Sequence, residues 1–272
     1  MADFIALLSF SFLPLVLVVT FSIVTPAIGA VLAIRNEMML ALALPSVANA
    51  GMALGLLFGI DPENELTLYG FATIATLLSI FATNRFRNGA GNREIYLAAL
   101  FVAGQILSST FSTLSPVAQG HVSHLLNGEI LAAGSIETIV LVIICTAFIV
   151  LAVMNRHGIL AWCADSEFYR VGARRYHVFL FVIYAALATA ITLGVATIGV
   201  LLVTALLVLP ALLGNMGIGG IYKFIVITTG IGVVGGIAGF LTALAIDFPP
   251  AISASIGIGI VGIGLRVLYL RR

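Results

Sequence analysis

The sequence predicts an all-α integral membrane protein: a polytopic bundle of eight or nine transmembrane helices, forming one domain over residues 1–272. Three observations predict it. Apolar residues make up 61% of the chain and charged ones 8%, whereas a soluble domain carries about 25% charged residues to cover its surface. The apolar residues fall into stretches of about the length that a bilayer-crossing helix needs, ~20 residues. The few basic residues gather on alternate connections between those stretches.

Nine spans follow from the N-terminus: Phe12–Ile34, Met39–Gly59, Leu66–Thr83, Ile95–Phe111, Leu131–Met154, Val178–Val195, Thr197–Leu213, Phe224–Ile246 and Ala251–Leu270. The sixth and seventh meet at Gly194–Gly199 with almost no polar break; if one of them enters and leaves by the same face, the count is eight. Arg35 follows the first span; Arg85, Arg87 and Arg93 follow the third. Arg156, Arg170, Arg174 and Arg175 follow the fifth, Lys223 the seventh, and Arg266, Arg271 and Arg272 close the ninth. These are all 12 basic residues of the chain, and all fall on one side of the alternation. The opposite connections hold Asp3, Asp61, Glu63, Glu65 and Asp247 and no cation. By the positive-inside rule the N-terminus lies outside and the C-terminus in the cytosol.

Met1-Ala-Asp3-Phe4 has no basic residue ahead of the first apolar run, so that run is expected to stay as a span, not leave as a signal peptide. Cys145 and Cys163 are two isolated thiols without a disulfide pattern. Gly232, Gly235, Gly236 and Gly239, then Gly257, Gly259, Gly262 and Gly264, are expected to let helix backbones approach closely in lipid. Pro14, Pro26, Pro45 and Pro210 lie within spans, where a missing N–H kinks a helix. Such kinks either only bend the helix or mark a broken-helix transport site.

Three motifs carry a resemblance. Gly199-Val-Leu-Leu-Val-Thr-Ala-Leu-Leu-Val-Leu-Pro210-Ala211 matches nearly residue for residue a glycine followed by LLVxALLVLPA. Asp165-Ser-Glu167-Phe168-Tyr-Arg-Val-Gly172 is similar to D-x-E-F-A-x-x-x-G, with Gly172 one place early. Leu125-Leu-Asn-Gly128-Glu129-Ile-Leu131 is similar to YLFGNIL. Together with the order of spans and Asp247-Phe-Pro249, they resemble the permease subunits of bacterial ATP-driven zinc, manganese and iron importers. The likeness runs from Arg35 onward. It implies a type II ABC importer-like bundle in the bacterial plasma (inner) membrane, paired as a homodimer. The implied partners are two copies of an ABC ATPase, an extracytoplasmic solute-binding protein and membrane lipid, with no nucleic acid.

The second span departs from that family. Between Arg35 and Gly51, Leu42 stands where the family has an aspartate and Ser46 where it has a histidine. Leucine has no donor and serine is a poor ligand for a transition metal. The resemblance therefore implies either a divalent metal or a chelate or small organic solute as cargo.

The chain is expected to be a transport subunit and not an enzyme. Gly217-Ile-Gly-Gly-Ile-Tyr-Lys223 holds the only lysine and lacks the spacing and the following Ser or Thr of a phosphate-binding loop. ATP would be hydrolysed by the partner, and the chain needs no cofactor of its own. Residues 155–177 form the longest cytosolic connection. In the resembled family, a short helix here docks into the ATPase, which implies a coupling role for Asp165, Glu167, Phe168 and Gly172; the plainer reading is a basic loop that fixes topology. His121 and His124, three apart, with Glu129, would suit a divalent ion, or form a solvated polar segment. Ser46, Asn49 and Thr204 are candidate path-lining side chains, with interhelical hydrogen bonding as the alternative. Glu137 is the carboxylate that an ATP-independent secondary carrier would need. A membrane scaffold without transport is the third class.

Overall fold

The computed structural model describes residues 12–61, 64–85, 90–114, 135–164, 176–215, 220–246 and 248–270. Among these, every element is helical: α1 (Phe12–Ile34), α2 (Met38–Leu57), α3 (Glu65–Arg85), α4 (Ala90–Leu114), α5 (Ser135–Met154), α6 (Arg156–Ala164), α7 (Tyr176–Ile198), α8 (Val200–Gly214), α9 (Ile221–Ile246) and α10 (Pro250–Leu270).

Seven of these helices are long and apolar enough to cross a bilayer, and α5 with α6 makes an eighth, bent by 68°. Of the nine predicted spans, the seventh, Thr197–Leu213, is the one that falls short of a full crossing, which leaves the expected count of eight. At 15 residues, α8 is about 22 Å long, short of a hydrocarbon core of ~30 Å. The break itself is at Gly199, whose φ of 88° sits in the region glycine favours. A Cβ placed on Gly194 would lie 2.9 Å from Val203, so α8 folds back beside α7. In a continuous helix those residues would be about 13 Å apart. Residues 156–164, expected as loop, instead form α6.

At the centre are α1, α2, α7 and α8, where Leu17, Phe21, Leu44, Met52, Ile191, Leu202 and Leu206 are buried. Ile74, Leu78, Ile106, Ile143 and Ile260 point outward, an arrangement that lipid tolerates and water does not. The helices run unbroken through Pro26, Pro45 and Pro210.

Glycine decides how closely α9 packs. Cβ atoms on Gly232 and Gly236 would run into Pro26 and Ser22 of α1, and on Gly235 and Gly239 into the backbone of α10 at Ile258 and Ala254. One helix thus offers two small-residue faces to two neighbours. The expectation fails at Gly259 and Gly264, which face nothing within 4 Å among the described residues.

Candidate functional site

Two polar features and one break in a helix set the interior apart from plain hydrocarbon packing. The first is a ladder between α2 and α4. Asn49 donates from Nδ2 to Ser108 Oγ at 2.9 Å, and Gln105 donates from Nε2 to Ser46 Oγ at 3.2 Å. On each helix the two members lie three residues apart and so share a face. Both pairs have the same sequence separation, so α2 and α4 run parallel, as two spans with one between them must. Gly104 makes the approach possible: a Cβ there would press on Ser46 at 3.1 Å. The structure therefore brings Ser46 and Asn49 together, both 2% exposed, and joins them to α4. The residue at the departure from the family pattern, Leu42, lies one turn before Ser46, and its carbonyl accepts from the Ser46 hydroxyl at 3.4 Å.

Interhelical hydrogen bonds in bilayers average about 0.6 kcal/mol and reach about 1.7. Asn49→Leu should accordingly lower stability by about 1 kcal/mol, read by unfolding in mixed micelles, while Ser108→Ala in that background should add little more.

The second feature is the break at Gly199. Its neighbours Ile198 and Val200 are buried, so the reversal occurs inside the bundle and not at its surface. Irregular backbone at membrane depth is tolerated where protein or a cavity surrounds it. Thr204 sits one turn into α8 and is half-buried, its hydroxyl donating to Val200 O at 2.7 Å. The Thr192 hydroxyl on α7 is fully buried and meets no partner among the described residues. Thr204 is on a different element from the α2–α4 ladder.

The third feature was not foreseen. The turn between α1 and α2 passes through Asn36, at φ 55°, which folds Arg35 back against Glu37. Arg35 donates from Nε and Nη2 to Glu37 Oε1 at 3.1 and 3.0 Å, and from Nη1 to Trp162 O at 3.1 Å. Its guanidinium also lies 3.7 Å from the centre of the Trp162 ring, a cation–π contact. Glu37 is 1% exposed and Trp162 2%; Trp162 in turn meets Phe179 and Tyr184 of α7 edge-on. One cation thus ties α1–α2 to α6, and the indole extends the tie to α7. Beside it lies the part-buried thiol of Cys163. The network puts Arg35 and α6 at the same end of the bundle, matching the predicted gathering of cations on one side.

Asp165, Glu167, Phe168 and Gly172 directly follow α6 but lie outside the described residues, as do His121, His124 and Glu129. Glu137 falls in the first turn of α5.

A many-helix apolar bundle with a helix broken in its interior and a polar seam between spans defines a polytopic membrane protein. The chain belongs to the ABC 3 transport family, whose model matches residues 9–267, and it is a multi-pass protein of the bacterial plasma membrane. It is 26% identical over 208 residues to the "Probable metal transport system membrane protein" of Thermotoga maritima, covering 74% of this chain and 69% of that one. It is also 26% identical over 239 residues to the manganese transport system membrane protein MntC of Listeria monocytogenes, covering 86% and 82%. The fold matches the solved structure of PsaBC from Streptococcus pneumoniae in complex with Fab with a TM-score of 0.80 at 16% identity, over 96% of this chain and 94% of that one.

Proposed function

We propose that the chain is the permease subunit of an ATP-driven importer whose cargo is zinc, manganese, iron or a metal chelate. The observation that carries this reading is family membership over nearly the whole length, and relatives named for metal and manganese transport support the cargo. Two permeases would pair, each docking one separate ATPase at the cytosolic end and receiving cargo outside from a solute-binding protein. The basic end holding Arg35 and Arg156 would be that cytosolic end. The permease itself would hold no nucleotide site. Asp165, Glu167, Phe168 and Gly172 would dock the ATPase, reached directly from α6 and its clamp on Arg35. Ser46, Asn49 and Thr204 would lie along the path, and His121, His124 and Glu129 would meet the metal at the outer mouth. Leu42 and Ser46, where the family has aspartate and histidine, favour a second reading: a cargo that needs no ligand in α2, such as a chelate or a small non-metal solute.

Co-expression with the cognate ATPase tests the docking. The wild type should co-purify as a complex, and Phe168→Asp, which places a carboxylate in an apolar contact, should reduce recovered ATPase at least tenfold; full recovery would sink the docking role. Uptake of zinc, manganese and iron into vesicles then tests the cargo. It should require ATP, and His121→Ala with His124→Ala should raise KM with kcat little changed. ATP-independent uptake would point to a secondary carrier instead.

A further inference from the structure

A cavity of about 670 Å³ lies among α1, α5, α6, α7 and α9, distinct from the α2–α4 ladder and from the Gly199 break. Its walls are almost wholly aliphatic and aromatic. At one end the lining turns polar: Asn155, Arg156 and His157, at the bend from α5 into α6, and Tyr222, at the start of α9 beside Lys223. Arg156, His157, Tyr222 and Lys223 are all exposed.

Length and charge together identify the occupant. The α1 wall runs from Ile23 to Leu32, about 14 Å at 1.5 Å per residue, and one leaflet of a ~30 Å hydrocarbon core is about 15 Å deep. The polar lip thus falls where headgroups lie, and an interfacial tyrosine belongs at that level. Aliphatic walls offer nothing to a hydrated ion, so the groove is no conduit for one. A cationic lip above an apolar slot one leaflet deep instead complements an anionic headgroup with its acyl chain. We infer that this groove is a binding site for an anionic phospholipid, its phosphate at Arg156 and His157 and one acyl chain running between α1, α5 and α7. Because Trp162 lines the same groove and carries the Arg35 clamp, the lipid would brace α6, the element that leads into residues 165–175.

The chain supplies its own probe. Trp162 is its one tryptophan, and its 2% exposure shields it from ordinary surrounding lipid. The full-length protein would be reconstituted in phosphatidylcholine vesicles doped with either phosphatidylglycerol or phosphatidylcholine brominated near the carbonyl end of the chain. Bromine quenches only at close range. Brominated phosphatidylglycerol should reach half-quenching at about a fivefold lower mole fraction than brominated phosphatidylcholine, the worth of about one cation at an anionic surface. Arg156→Gln with His157→Gln should erase that headgroup difference, and Ala152→Phe, which fills the slot, should abolish quenching by both. Equal quenching by the two lipids in the wild type overturns the anionic site. Quenching by neither means that protein, such as a second copy of the chain, covers the groove, and overturns the inference entirely. The wild-type comparison needs no variant, so a misfolded mutant cannot mask the answer.

Discussion

Arg35→Gln should destabilise the protein by about 3–5 kcal/mol, the usual consequence of removing one partner from a buried ion pair. Glu37 receives two hydrogen bonds from this guanidinium at a position 1% exposed, and the substitution takes away that cation without admitting water. It also removes the donor to Trp162 O and the cation from the face of the indole. Arg35→Lys should recover only part of the loss, because an ammonium cannot make the two-pronged contact and stack at once. The double change Arg35→Gln with Glu37→Gln should be milder than Arg35→Gln alone, since neither member of this pair is then charged. Retention of monodisperse protein on heating in detergent reads all three.

Cys163 adds a local readout in a Cys145→Ala background. This thiol is part-buried next to Trp162, so alkylation is slow while α6 stays in place. Faster alkylation in Arg35→Gln would therefore report that α6 has come away from the α1–α2 turn. Unchanged stability together with unchanged labelling would show that the clamp holds nothing.

Arg35 also illustrates what was legible beforehand. Its sign and position were enough to place it at one end of the bundle, but not to find its partners. Glu37 is two residues away, a spacing that faces nothing within a helix, and the two meet only because Asn36 adopts a positive φ. Trp162 lies 127 residues further on, and no local pattern announces such a contact. Asn49 and Ser46 stood out as polar groups in an apolar span, yet Gln105 and Ser108 become their partners only once α3 has returned the chain. Hydropathy found α7 and α8 as apolar and put their junction at Gly194–Gly199 with almost no polar break to mark it, because a turn inside a bundle has no need of polar residues. It also took α6 for loop, since Arg156, His157 and Asn155 precede its apolar turn. The family motif, by contrast, marked α8 directly, because its run of leucines and valines around Pro210 is distinctive by itself.

Gly239→Ala should cost about 1–3 kcal/mol, and Gly239→Leu more, in a protein where most substitutions between lipid-facing small residues cost almost nothing. The reason lies in what a side chain would meet. A Cβ on Gly239 would overlap the Ser253 carbonyl and the backbone of Ala254, and backbone cannot swing aside as the end of a leucine can. The same contact is hydrogen-bonded, with Ser253 Oγ donating to Gly239 O at 2.7 Å and lying 3.0 Å from Thr242 Oγ1. Pushing α10 away therefore strips a polar pair in a medium that offers no replacement. The displacement cannot be taken up on the other side either, because Gly232 and Gly236 hold the opposite face of α9 against Pro26 and Ser22 of α1. Gly259→Ala is the matched control: it sits on α10, carries the same added methyl, and faces nothing within 4 Å among the described residues. It should change stability by less than about 0.5 kcal/mol. Thermal unfolding of both variants in one detergent decides the matter, and equal stability would mean that the glycine face of α9 is not what holds α10 in place.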